Sequence, residues 1–262
     1  MMTAPGYTVT DAQFTRLRAM NLIAGIILFA QAVLISAAAL AEKTPVLLPV
    51  TARFPGGPVG SAVIPQTAHL ADVNLGVAVV ILLTLSAVLR FAQLLPAVAG
   101  RYRSGLDAAR NTTRWVEYSQ VSAITVFLIA QLNGVTEVGT LVALYAITAS
   151  ATLFLALQES EPRGAGSLRP FVFGTMVGIV PWGIIAFYQI GAGTLGDVPE
   201  LFVRTVTLSL LAVATLVWTN AWLGRKARRG WAHPHRVEMA QIILVTFGTT
   251  LLAGQVLTGV LL

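Results

Sequence analysis

Seven apolar stretches constrain this chain more than anything else in it. They lie near residues 20–41, 73–98, 107–132, 135–158, 170–190, 200–223 and 237–261. Each approaches the ~20 residues that a helix needs to cross ~30 Å of hydrocarbon. Lipid offers the backbone no water, so a span must be a helix or part of a closed barrel. Barrel strands alternate polar and apolar residues over ~10 positions, and such runs do not recur here. The sequence therefore predicts an all-α membrane protein, a single seven-helix transmembrane domain over residues 1–262. Composition agrees. Only 11% of residues are charged, against about 25% in soluble domains. The third stretch has the least definite start, because Asp107, Arg110 and Arg114 interrupt it.

The first stretch has some marks of a secretory signal. Arg16 and Arg18 precede it, and Ser36-Ala37-Ala38-Ala39-Leu40-Ala41 resembles a cleavage region. The run from Leu22 to Ala41 is nevertheless long enough to span, and it is taken as the first helix.

The basic residues set an orientation, because cytoplasmic loops carry an excess of Lys and Arg. With the N-terminus inside, thirteen of the seventeen fall on the inner side. They are Arg16 and Arg18; Arg101, Arg103, Arg110 and Arg114; Arg163 and Arg169; and Arg225, Lys226, Arg228, Arg229 and Arg236. Only Lys43 and Arg53 fall outside, and Arg90 and Arg204 lie within helices. The expectation is a multi-pass protein of the cell membrane with a cytoplasmic N-terminus and an outer C-terminus. The net charge of +6 is thereby explained by topology and the bilayer, not by nucleic acid.

The only long outer loop covers residues 42–72. Thr51–Phe54 and Val59–Ile64 bracket Pro55-Gly56-Gly57-Pro58. Turn chemistry between two short runs predicts a β-hairpin, able to cap the bundle or to meet a partner. The chain has no cysteine, and His69, His233 and His235 complete no metal-ligand spacing. No metal site is expected. Without a metal cluster, an intramembrane histidine or a cysteine nucleophile, an enzyme is the least supported class.

Ionisable groups inside a membrane are costly and mark function by default. Arg90 in the second stretch and Glu117 in the third stand out. Each lies ~10 residues from the inner end of its stretch, roughly 15 Å deep at ~1.5 Å per residue. An Arg90–Glu117 ion pair is the geometric expectation; the competing one is that Arg90 snorkels to the inner surface. Asn21, Gln31, Gln131, Thr148, Asn220, Thr246, Thr249, Thr250 and Gln255 also dot the stretches, as interhelical hydrogen-bond formers. Pro181-Trp182 suggests a kink beside an aromatic wall.

Arg114-Trp115-Val116-Glu117-Tyr118-Ser119, followed by Leu128-Ile129-Ala130-Gln131, resembles the third helix of heliorhodopsins. Leu157-Gln158-Glu159 resembles the end of their fourth, and Gly178-Ile179-Val180-Pro181-Trp182 their fifth. Asn21, Ala24-Gly25 and Gln31 fit the first helix, and Leu85-Ser86-Ala87 the second. The resemblance covers nearly the whole chain. It implies an inside N-terminus, β-structure in the first outer loop, a dimer, and retinal held as a Schiff base to a lysine of the seventh helix. Glu117 matches the family's counterion. The lysine does not carry over. Leu251-Leu252-Ala253-Gly254-Gln255 resembles the segment that follows it, which places Thr249 at its position. A hydroxyl cannot form a Schiff base, which needs an amine. The only lysines, Lys43 and Lys226, lie in loops. Leu28 and Arg90 stand where relatives often carry histidines.

The resulting expectation is a sensory or regulatory scaffold without covalent retinal, working through a second copy or another membrane protein. A vestigial or noncovalent pocket would use Glu117, Arg90, Thr249, Trp182, Ser119 and Tyr118. Noncovalent binding of retinal or another apolar ligand is the alternative. An ion transporter or channel is a further one, poorly supported by a single buried pair.

Overall fold

A computed structural model describes residues 8–42, 44–54, 56–58, 60, 65–161, 166–194, 200–227 and 229–261. Eight helices and a two-stranded sheet follow in the order α1 (Asp11–Ala41), β1 (Leu47–Phe54), β2 (Gln66–Asn74), α2 (Leu75–Ala92), α3 (Pro96–Asp107), α4 (Thr112–Leu132), α5 (Val138–Ser160), α6 (Arg169–Thr194), α7 (Leu201–Lys226) and α8 (Pro234–Val256). A wider helical turn continues α8 to Leu261. Among the described residues, six helices, α1, α2, α5, α6, α7 and α8, are long and apolar enough to cross a membrane. The chain is a multi-pass membrane protein.

The remaining long helix, α4, is the most enclosed. Twelve of its 21 residues are buried, among them Arg114, Glu117 and Gln131. Its polarity reflects protein on several sides, since only a lipid-facing helix needs to be apolar all round. The reverse holds for α6, where only Gly174, Pro181 and Ile185 of 26 residues are buried. Packing runs from α1 to α2, from α2 to α4, from α4 to α5 and from α5 to α6, while α8 joins α7 to α1. Gly25 lets α1 and α2 approach closely: a Cβ there would come within 2.6 Å of the Phe91 ring. Gln31 and Thr250 exchange hydrogen bonds of 3.1 and 3.2 Å between α1 and α8.

Several boundaries differ from the hydropathy pattern. The first helix starts at Asp11, where Thr10 and Gln13 form a capping box. The stretch at 73–98 is not one helix. It begins at Leu75 after β2, ends at Ala92, and gives way to α3 at Pro96. Proline cannot donate to a preceding turn and pushes its predecessor out of the helical region; Leu95 is accordingly extended. Likewise α4 begins at Thr112, because Asp107 closes α3.

The hairpin forms, but its second strand lies later than the turn residues suggest. Leu47 pairs with Asn74 and Phe54 with Gln66, with a register shift between Val50 and Thr51. Val59 and residues 61–64 lie outside the described residues. The sheet is tied to the α4–α5 end of the bundle. Thr51 N–H donates to the Thr136 carbonyl at 2.8 Å, and Gln131 Nε2 reaches the Leu48 and Pro49 carbonyls at 3.4 Å.

Candidate functional site

The second helix delivers Arg90 two residues before its end, and α4 delivers Glu117 in its second turn. Their side chains meet. Arg90 Nε lies 3.0 Å from Glu117 Oε1, and each side chain is 1% exposed. Arg90 therefore does not snorkel. Ser86, one turn before Arg90, donates to the same carboxylate oxygen at 3.4 Å. Arg90 Nη1 donates to Asn21 Oδ1 at 3.2 Å.

The pair is one end of a longer polar chain. Asn21 Nδ2 reaches the Tyr102 hydroxyl at 3.4 Å, and that hydroxyl donates to Glu238 at 3.2 Å. Asn111 Nδ2 donates to the same oxygen of Glu238 at 2.9 Å. Arg114 Nη1 pairs with its other oxygen at 2.6 Å, while Nη2 pairs with Glu159. The Arg114 guanidinium also lies over the Trp115 ring, 4.7 Å from its centroid, in cation–π range. Six helices thus contribute: α1, α2, α3, α4, α5 and α8. Burial and the neighbouring Glu238 carboxylate push the Tyr102 phenol well above its ordinary value. The hydroxyl keeps its proton and acts as a donor.

Glu238, Arg114, Glu159 and Tyr102 were not picked out by sequence reasoning. Glu238 lies at the start of an apolar stretch and Arg114 inside a basic cluster, where charges read as interfacial. Tyr102 of α3 donates to Glu238 there, a contact that composition does not reveal.

Three other expected site residues share a second place. Tyr118, Trp182 and Thr249 line a narrow cleft with Leu210, Val213 and Gly248 between α4, α6, α7 and α8. It encloses about 50 Å³. Thr249 is buried, and its hydroxyl donates to its own helix at Val245 and Thr246. Ser119 joins neither place: its hydroxyl bonds the Val116 carbonyl within α4 at 2.8 Å. Pro181 sits inside α6, which continues to Thr194.

The heliorhodopsin family model matches residues 17–261. No curated protein matches the chain. The family's retinal chemistry needs an amine facing the cleft. Lys226 is exposed in the last turn of α7, and Lys43 lies outside the described residues. The cleft itself is lined by the hydroxyl-bearing Tyr118, Ser122, Thr125 and Thr249 and otherwise by apolar side chains and Trp182. Its volume is well below the ~300–1,000 Å³ of ordinary ligand pockets. These residues do not fit a covalently bound retinal.

Proposed function

The chain belongs to the heliorhodopsin family, and from that premise we propose that it is a non-enzymatic, sensory or regulatory membrane protein that works without covalent retinal. In this reading α4 is the seventh spanning helix. The N-terminus lies in the cytoplasm, the C-terminus lies outside, and the protein resides in the cell membrane. The arginine-bearing ends of α3, α4, α7 and α8 are inside, which the positive-inside rule favours. Signalling passes through contacts with a second copy of the chain or with another membrane protein.

The observation that carries this reading is the Arg90–Glu117 pair. The family resemblance casts Glu117 as counterion to a protonated Schiff base. Here a guanidinium 3.0 Å away supplies the positive charge instead. Thr249, at the position the resemblance gives to the lysine, offers only a hydroxyl. A buried carboxylate needs a cation, and Arg90 meets that need permanently, in light or dark.

Addition of all-trans retinal to the purified protein tests the reading. No visible band should survive denaturation. A band that persists as a covalent adduct would overturn it. The cleft at Tyr118, Trp182 and Thr249 favours a second reading, noncovalent binding of an apolar ligand. Its small volume requires side chains to move, so a thermal shift on adding retinal, without an adduct, is the result that would select it.

A further inference from the structure

We propose that the cavity enclosed by the end of α2, by α3 and by the start of α4 binds a phosphate-bearing anion, the headgroup of an anionic lipid or free phosphate. The cavity holds about 540 Å³, roughly ten times the cleft at Thr249. Among its lining residues are Arg101 and Arg110, and no carboxylate. Both arginines are exposed. Arg110 uses one nitrogen on the Ser160 carbonyl at 3.1 Å, so its other donors remain for a ligand.

The start of α4 opens on the same space. Its N-cap Asn111 takes the N–H of Arg114 at 3.2 Å. The N–H groups of Thr112 and Thr113, which line the cavity, have no partner within the helix. A helix N-terminus carries partial positive charge and favours phosphate. Gly105 makes this approach possible. A Cβ there would meet the Arg110 carbonyl oxygen at 2.6 Å, so a larger residue would hold α3 away from the start of α4.

A second observation is independent of the helix end. Gln93 lines the cavity and is 1% exposed. Among the described residues, neither its amide nitrogen nor its amide oxygen has a hydrogen-bond partner. Buried polar atoms are rarely left so. Turned toward the cavity, Nε2 would donate to a phosphate oxygen, and Oε1 would accept from a headgroup hydroxyl. Of the nearby carboxylates, Glu238 and Glu159 are held by Arg114, Glu159 also accepts the Asn111 N–H at 2.7 Å, and Asp107 accepts the Val9 N–H at 2.7 Å. Basic pockets at membrane interfaces take anionic headgroups by this chemistry.

The test uses the full chain purified in detergent. Its melting temperature is followed while phosphatidylglycerol, phosphatidylcholine or inorganic phosphate is added. Phosphatidylglycerol should raise Tm by several degrees at concentrations where phosphatidylcholine has little effect. An equal response to inorganic phosphate identifies the phosphate group as sufficient; no response to it assigns the site to lipid. The Arg101→Gln/Arg110→Gln variant should lose the shift. Thr112→Glu should lose it too, and this variant favours the helix by placing a carboxylate at its N-terminus, so it keeps the test informative if the double variant does not fold. The proposal is overturned if none of the three additives discriminates, or if the shift persists undiminished in the folded variants.

Discussion

Arg90→Met should be among the most damaging single substitutions in the chain. The change removes a charge that is 3.0 Å from Glu117 and 3.2 Å from Asn21, with both members of the ion pair 1% exposed. Methionine matches the length of the aliphatic stem, so little volume is lost. What remains is a carboxylate whose other oxygen already lacks a partner. Two charges ~4 Å apart interact by about 4 kcal/mol at an effective dielectric constant of 20. Breaking a buried pair from one side costs about 3–5 kcal/mol. Glu117→Gln should cost a similar amount, because it leaves the guanidinium alone. The double variant strands no charge, so its loss should fall short of the sum of the singles by about 2 kcal/mol or more. Equilibrium unfolding in mixed micelles, followed by circular dichroism, gives all four corners of the cycle. Additivity to within about 0.5 kcal/mol would refute the argument, and with it the claim that Arg90 serves as the internal cation for Glu117.

Glu238→Gln should also destabilise strongly, by about 3 kcal/mol, since Tyr102, Asn111 and Arg114 all converge on that carboxylate; thermal unfolding against the half-exposed control Arg103→Gln would measure it. Gly25→Val should lower stability by about 1–3 kcal/mol through overpacking, because its Cβ would strike the Phe91 ring; a melting temperature equal to wild type would contradict the packing. Glu137 caps α5, and hydrogen bonds from the Thr140 and Gly139 N–H groups hold its carboxyl below the ordinary value. Its contribution should be complete above the unfolded-state value and disappear as pH falls through the lower folded one. Comparing melting temperatures of wild type and Glu137→Gln should therefore show a gap near neutral pH that closes in acid.

Much of this architecture is written in hydropathy, because lipid punishes an exposed polar backbone so heavily that spans announce themselves. The ends of the helices are less legible. Pro96 begins α3, but Leu94, Leu95 and Val98 continue the apolar pattern across the break. The Arg90–Glu117 pair was accessible because two opposite charges stood at matching depth in neighbouring stretches. Glu238 and Arg114 were not, since a charge at the edge of an apolar stretch has the same sequence signature whether water or protein covers it. Ser119 shows a limit of another kind. It follows Glu117 by two positions, and at ~100° per residue the two point about 200° apart, so a shared motif does not place them in a shared site.

The polar chain from Glu117 to Glu159 bears on how a lysine-free relative could keep the same bundle. It holds two guanidinium groups, Arg90 and Arg114, and three carboxylates, Glu117, Glu238 and Glu159. Arg114 serves two of them and is itself buried, so it cannot lend charge to Glu117 without releasing Glu238. In the proposed reading, a lysine absent from the Thr249 position leaves the deep end of the chain one cation short, and no rearrangement of Arg114 would repair it. Arg90 repairs it locally, at the cost of fixing the charge state that the family's chromophore would otherwise govern. In the proposed reading an arginine at position 90 and a hydroxyl at position 249 belong together, and changing position 249 alone should be worse than changing both. In the proposed reading, where position 249 is the family's lysine position, Thr249→Lys alone would add a cation to a bundle whose Glu117 is already paired with Arg90, whereas Thr249→Lys with Arg90→His would remove that excess. The double variant should unfold at a higher temperature than Thr249→Lys alone, and the opposite order would separate the two positions and dissolve the link between them.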